Sequence, residues 1–503
     1  MKDAYDVIVV GGGGSGLAAA VSAAQRGLAV LVLEKCAALG GTTGIAVGSF
    51  TANRTPQQRR AQIDDNPDDH DADAARFGPA EIQRRNNAVL RRHFLGHAAE
   101  TLDWLLGLGL RFHGPSPEPP NRVPRMHNVV PNAKAYIAVL QSHLLRHGGV
   151  ILCNAAVEGL TRQQARVTGV EALLAGQHVT FRARRGVVLA AGDYANSAEL
   201  IARFKGPQFA CIEGINVYST GDGHRLAEEA GAALVNMDVT YGPELRFVPP
   251  PRKPFTQLLP ASGPIARIMG LGLPWVPQWV LTRMIKRLLV TWQHPENALF
   301  DDGAILVNSE GQRFCNESVS PDREIAIARQ PGKIAYLLLD GRLVERYSRW
   351  PHFISTAPEV AYAYVRDYRR MRPDVTTTAE SLEGLAAARK LPGETLRATV
   401  EQFNRFATGE AADPQGRIER VPPLARGPWC LLGPAKAYFT TTEGGAAVNP
   451  RLQVLDAAGE PIAGLYAVGQ NGLGGQVLWG HGLHIAWALT SGRLVGETLA
   501  QPG

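Results

Sequence analysis

Three features of the 503-residue sequence predict an α/β protein: a Rossmann-like nucleotide-binding domain, assembled from discontinuous segments, with an inserted α+β domain. The first is local. DVIVV at 6–10 reads as a fully buried parallel strand, Leu17 to Arg26 as an alanine-rich helix ending at Gly27, and AVLVLEK at 29–35 as a second strand. The second is long-range: GGVILC at 148–153, RGVVLAAGD at 185–193 and AGLYAVGQ at 463–470 have the same continuous apolar character, which suggests one sheet built from distant segments. The third is a change of texture from about Met237 to Pro434, where proline-rich loops alternate with helices such as Ile325–Ala328 and Thr395–Ala407. The expected layout is therefore 1–236 and 435–503 for the nucleotide-binding domain and 237–434 for the insertion.

The chemistry of the first turn follows from its spacing. Gly11, Gly13 and Gly16 stand between strand and helix at G-x-G-x-x-G separation, with Gly14 and Ser15 completing the turn, and Glu34 closes the next strand. Gly11 permits the turn, Gly13 lets a pyrophosphate approach the backbone, Gly16 allows close helix packing, and the free amides of the helix start face negative charge. A glutamate at the second strand's end accepts hydrogen bonds from ribose hydroxyls and repels a 2′-phosphate. The motif does not by itself separate NAD from FAD.

Composition excludes several classes. Hydrophobic residues make up 45% and charged residues 19%, which is ordinary for a globular chain, and the net charge of +6 comes without a lysine-rich block, so no nucleic-acid partner is expected. The five cysteines (Cys36, Cys153, Cys211, Cys315, Cys430) have no CxxC, haem or metal spacing and read as buried free thiols. With a strand beginning at Asp6 there is no room for a secretory leader, which points to the cytoplasm. HDADAARFG near 70 and PSPEPPNRVP near 115 read as solvated loops. Residues 248–292 combine large apolar side chains, three tryptophans and Arg283, Lys286 and Arg287, broken by Pro274 and Pro277. No run near 18 residues spans a membrane there. A cap-domain helix pair is favoured over a weak membrane-surface contact through 264–292, peripheral at most.

Beyond the turn, LGGTTGIAVGSF at 39–50, ETLDWLLGLGLRF at 100–112, PRMH at 124–127, LAAGD at 189–193, STGDGHRLAEEAGAALVNMD at 219–238, GAILVNSEGQRFCNES at 303–318, TTTEGGAAVNPRLQVLDAAGEPIAGLYAVGQ at 440–470 and the glycine-rich run from Gly472 occur in one order. In these segments the sequence resembles the fumarate reductase and succinate dehydrogenase flavoprotein superfamily, nearest in type to the 3-ketosteroid dehydrogenases. The resemblance implies a capping role for the insertion and FAD as cofactor. It places FAD contacts at Gly11, Gly13, Gly14, Ser15, Gly16, Glu34, Lys35, Gly41, Thr42, Thr43, Val157, Ala191, Gly192, Asp222, Gly469, Gln470, Gly482, His484 and Ile485. Gln470 stands where an acid is usual. Relatives with covalent flavin carry a histidine soon after GGT, where this chain has Ala46, Val47 and Gly48, so noncovalent FAD is expected. The helix after Gly482 is similar to one whose amino-terminal amides face the flavin pyrimidine edge.

The catalytic positions diverge. Where fumarate reductases bind two carboxylates or relay protons, this chain has Thr440, Thr441, Leu478, Pro321, Phe300 and Asn297. A desolvated dicarboxylate would lack partners, at several kcal/mol per ion, so fumarate reduction is not expected. The two tyrosines of ketosteroid dehydrogenases are also missing, and only Gly482 keeps its place. His481 beside it is a candidate acid or base. Asp322 and Arg323, just past the family's proton-transfer position, are candidates too, with a helix start at Asp322 an equal reading. His127 is read as a substrate contact or a loop anchor, and Trp479 and Trp487 as pocket or core. The expected function is α,β-dehydrogenation of an apolar, cyclic or steroid-like ketone with an external electron acceptor. The alternatives are an ene-reductase fed by an external donor, and a redox-silent flavin-binding protein. No metal site is expected.

Overall fold

The computed structural model describes residues 3–252, 259–261, 263, 269, 272, 278–357 and 361–501. Its larger sheet contains a run in the order Gln453–Leu455, Pro461–Ala467, Gln177–Leu189, Ala4–Val10, Val30–Glu34, Val150–Cys153. The four neighbouring pairs from Pro461–Ala467 to Val150–Cys153 are parallel, with Val7 opposite Val30, Leu31 opposite Val150 and Val187 opposite Leu465. All the distant apolar runs singled out in the sequence therefore meet in one sheet. Their continuous hydrophobicity reflects burial on both faces: Val7, Ile8, Val9, Leu31 and Val32 are fully inaccessible. The first helix, Gly14–Gln25, packs along the last, Leu483–Ala500, and a Cβ on Gly492 would lie 2.4 Å from Ser15 O. The amino-terminal and carboxy-terminal ends of the described chain thus build one layer.

The second sheet is organised by the strand Trp429–Phe439, which pairs antiparallel with Glu244–Phe247, Ala335–Leu339 and Thr376–Ala379 and parallel with Glu213–Gly214. A separate hydrophobic core beneath it includes Leu299, Ile305, Leu337, Tyr368, Phe403 and Leu431. The core also takes in Tyr194, Leu200, Ile201 and Ile212, and the strand passes through position 434 without a break. Residues on both sides of 237–434 thus contribute to this second core. The helices expected at 325–328 and 395–407 are Asp322–Ala328 and Gly393–Thr408.

Two stretches read as solvated loops are neither fully loop nor solvated. Pro67–Ala74 is a helix capped by Asn66, with His70 and Asp73 buried. Asp73 and Asp65 hold the inaccessible Arg125 at 2.6 and 2.7 Å, an ion triad that supports the loop carrying Glu118 and Asn121. Glu118 in PSPEPPNRVP is itself only 6% exposed. Proline and charge gave both stretches the texture of a surface, but each charge is matched by an oppositely charged or hydrogen-bonding group brought in by the fold.

Of the stretch 264–292, residues 264–268, 270–271 and 273–277 lie outside the described residues. Gln278–Trp292 is a helix packed on the hairpin Ser355–Ala357/Ala361–Ala363 and on the helix Val365–Met371. Among the described residues no helix is long and apolar enough to cross a membrane.

Candidate active site

A cavity of about 1010 Å³ runs between the two units, and a second of about 460 Å³ adjoins it; both are lined by Gly11, Glu34, Lys35 and Ala191. The glycine turn forms the shared wall. Gly11 has φ +110°, and a Cβ there would sit 2.4 Å from Ala190 O, so only glycine closes this turn against the neighbouring strand. Gly13, by contrast, has nothing nearer than 3.9 Å to a Cβ, and it starts the helix without a side-chain cap. That opening leaves the first helical amides available to an anion. Glu34 is buried; one oxygen accepts from Gly12 N and the other from Cys36 N, both at 2.8 Å. The carboxylate is oriented by backbone and keeps lone pairs for ribose hydroxyls. Lys35 and Asp222 pair at 2.6 Å beside it, and Val157 lines the smaller cavity with Asp222.

The larger cavity continues past Gly14, Ser15, Gly41, Thr42, Thr43 and Gly192 to Gln470, Gly482, His484 and Ile485. Gly16 and Gly469 line neither cavity; they act through packing, since a Cβ on Gly16 would meet Gly11 O at 2.0 Å and one on Gly469 would meet Ser15 Oγ at 2.6 Å. Gln470 donates to Thr441 Oγ1 at 2.5 Å and Thr442 O at 2.9 Å, and Thr441 in turn donates to the buried Asp193. Burial pushes the Asp193 carboxyl up from its usual range. Asn471, not anticipated from the sequence, fixes the 191–192 loop: its Oδ1 accepts from Ala191 N at 2.6 Å and its Nδ2 donates to Gly192 O at 3.0 Å. Gly482 starts the last helix at φ +83° with no side-chain cap, so that helix's free amides open on the cavity. Turn, acid, uncapped helix starts and two connected cavities fit a dinucleotide with a ring system at its far end.

Beyond that end the wall changes character. Tyr241, Arg246, Gln293, His294, Thr440, Trp479, Gly480 and His481 line it. Trp479 meets Tyr241 edge to face at 5.7 Å. Arg246 is balanced by Glu244 at 2.7 Å, and Thr440 bridges both. His294 stands 3.8 Å from Glu244; burial lowers its pKa, against the pull of that carboxylate. His481 presents 55% of its side chain to the cavity, while its Nδ1 lies 2.6 Å from Glu118 Oε1, which also accepts His481 N at 2.7 Å. Desolvation works against the imidazolium, but the Glu118 hydrogen bond and charge outweigh it and raise the His481 pKa.

The other candidates lie elsewhere. Asp322 is exposed in the first turn of Asp322–Ala328, where Pro321 and not Asp322 occupies the cap position. Arg323 is buried against Glu324 at 2.5 Å and the Phe300 ring at 4.8 Å. Neither lines the cavity. His127 is buried: Nδ1 donates to Arg125 O and Nε2 accepts from Thr55 Oγ1, so it anchors a loop, and desolvation lowers its pKa to about 4. Trp487 belongs to the core, with Nε1 on Gly469 O, whereas Trp479 belongs to the cavity. Arg246 and His294 escaped sequence reading because they flank the apolar stretch 248–292 inside the insertion, where no motif fixes a register. Glu118 escaped because its proline-rich setting resembles a surface loop.

A nucleotide-binding α/β domain capped by a second unit over a cavity of this length defines an FAD-dependent oxidoreductase. The family model described as FAD binding domain matches residues 6–253 and 272–479, and the chain belongs to that family. It is 27% identical to a fumarate reductase (cytochrome) of Shewanella frigidimarina over 514 residues, covering 99% of this chain and 77% of that protein. The open conformation of a flavocytochrome c3 fumarate reductase superposes with a TM-score of 0.72 at 23% identity, covering 99% of this chain and 78% of that one. A 3-ketosteroid Δ1-dehydrogenase from Sterolibacterium denitrificans superposes with 0.64 at 21% identity, covering 99% and 100%. At these identities the two structures are a likeness of fold.

Proposed function

We propose that the protein reduces a carbon–carbon double bond conjugated to the carbonyl of a largely apolar substrate, with His481 as the proton donor and a separate protein or carrier supplying electrons. The observation that carries this reading is the Glu118–His481 pair at the cavity wall. A carboxylate can only accept, so Nδ1 carries a proton and Nε2–H of the imidazolium is the donor left for the cavity. The glycine turn, Glu34 and the last helix would hold FAD noncovalently, and bound FAD would supply the hydride chemistry. The protein's own part is to orient the substrate, exclude water and deliver the proton to one carbon of the double bond.

The wall chemistry bears on the substrate. Trp479 and Tyr241 offer aromatic surface, and the Arg246 guanidinium and the His294 imidazole on the same wall can donate to a carbonyl oxygen. Because Glu244 already neutralises Arg246, the described residues of the wall do not supply the two uncompensated cations that a dicarboxylate needs on desolvation. A ketone or a single carboxyl fits better. The sequence favours desaturation, which runs the same proton step backwards and requires neutral His481; the Glu118 carboxylate against Nδ1 favours the imidazolium instead, and with it the reductive direction.

Anaerobic stopped-flow mixing tests the proposal. Prereduced holoenzyme is expected to be reoxidised by members of a panel of α,β-unsaturated ketones and monocarboxylates. If no member reoxidises it while saturated cyclic ketones bleach the oxidised flavin, desaturation is the function. If neither occurs, the redox-silent reading stands.

A further inference from the structure

Three elements meet at one corner of the capping unit: the helix Gln278–Trp292, the helix Val365–Met371 and the hairpin Ser355–Ala357/Ala361–Ala363. Arg372, at the end of the second helix, ties it to the first by donating to Val290 O at 3.0 Å, and anchors both to the strand Glu244–Phe247 by donating to Val248 O at 2.7 Å. Lys286 and Arg366, one from each helix, sit 5.3 and 5.1 Å from the same Tyr364 ring.

The exposed side of this corner is basic. Arg283 and Arg287, one turn apart, are exposed on the first helix, and Arg366, Arg369 and Arg370 on the second. None of the five has an ion-pair partner among the described residues, whereas the nearby acids are taken: Asp367 by Lys286 at 3.2 Å and Asp374 by Arg372 at 2.8 Å. Like charges gathered without counter-charges repel one another, an arrangement that an external anionic surface relieves. At the hairpin of the same corner Trp350 is 62% exposed, held edge-on to Tyr362 at 4.9 Å and stacked on Phe353 at 6.3 Å. A tryptophan propped outward by other aromatics next to unpaired arginines has the chemistry of a bilayer interface, where indole takes the headgroup level and arginine the phosphates.

The corner is also joined to the cavity. The helix Gln278–Trp292 runs directly into Gln293 and His294, both cavity residues, and Gln293 Nε2 donates to Thr356 O in the hairpin. We infer that this corner rests on an anionic lipid surface as a peripheral contact, so that an apolar substrate passes from the bilayer into the cavity. The second half of that statement rests on the substrate reading above; the first half does not.

Vesicle flotation of the holoenzyme without substrate tests it, using phosphatidylcholine vesicles with and without phosphatidylglycerol. Binding is expected only with phosphatidylglycerol, is weakened but not abolished by salt, and falls about fivefold for each of R283Q, R287Q and R366Q and about a hundredfold for the triple variant. W350S weakens the salt-resistant remainder. Unchanged flavin content and thermal unfolding in the variants keep a folding defect apart from a binding defect. Failure to float with phosphatidylglycerol, or flotation that the arginine variants leave unaltered, overturns the inference. Since no turnover is read, this result is independent of whether the enone assay succeeds.

Discussion

Glu118→Gln removes a charge while keeping an oxygen that can accept from His481. In the native protein the contact is 2.6 Å, and the charge centres lie about 4 Å apart, worth about 4 kcal/mol at an effective dielectric of about 20. More than half of the His481 side chain faces the water-accessible cavity, and Glu244 supports the same imidazolium, so solvent screening leaves only a fraction of that value as the realistic loss. The sign follows from the role. A proton donor is present below its pKa and is lost as pH rises through it. Glu118 raises that pKa, so removing its charge moves the decline in rate to lower pH and slows reduction at neutral pH by up to about tenfold. The assay is the pH dependence of single-turnover reoxidation of prereduced enzyme by an active enone, with His481→Gln as the control that abolishes the titration. A Glu118→Gln profile superimposable on wild type, or one displaced to higher pH, would refute the assignment of His481 and Glu118 together.

Glu34→Ala leaves Gly12 N and Cys36 N without their acceptor and removes the ribose partner; FAD affinity should fall about ten- to a hundredfold, read by titrating deflavinated protein and following flavin fluorescence. An unchanged affinity would mean that the carboxylate shapes the loop only. Arg323→Ala isolates the buried Glu324 carboxylate and should cost about 3–5 kcal/mol, lowering Tm while the folded fraction retains its reduction rate. Asp322→Asn, exposed and away from the cavity, should change neither; a rate defect in that variant would restore Asp322 as a catalytic candidate.

The sheet and cofactor cradle were legible because their physics is local. Buried parallel strands must be apolar throughout, and a strand–glycine–helix turn must place its glycines at set spacing, so residues 6–34 and the runs ending at Leu189 and Ala467 could be recognised one at a time. The far wall was not legible in that way. His481 was singled out because it borders Gly482, but its partner Glu118 is 363 positions away in a segment that looks like a surface loop. Arg246 and His294 acquire meaning only when the chain on both sides of the insertion is folded back against Thr440 and Trp479. Asp322 and Arg323 were close in sequence to a family position, but the helix Asp322–Ala328 turns one to solvent and the other into a buried pair. Proximity along the chain was the wrong measure for them.

The two walls of the long cavity have separate ancestries in the chain. Residues 11–48, 190–193, 470 and 482–488 line the cofactor end, and Trp479 and His481 reach the far wall from the same part of the chain, whereas Tyr241, Arg246, Gln293 and His294 are carried by the capping unit. Mutational drift on the capping side can therefore try new substrates without forfeiting flavin, because no residue there supports the glycine turn or Glu34. The same partition offers a handle for directed evolution: libraries confined to Tyr241, Arg246 and His294 sample specificity within a protein that still loads its cofactor, and flavin colour alone sorts the folded members from the rest.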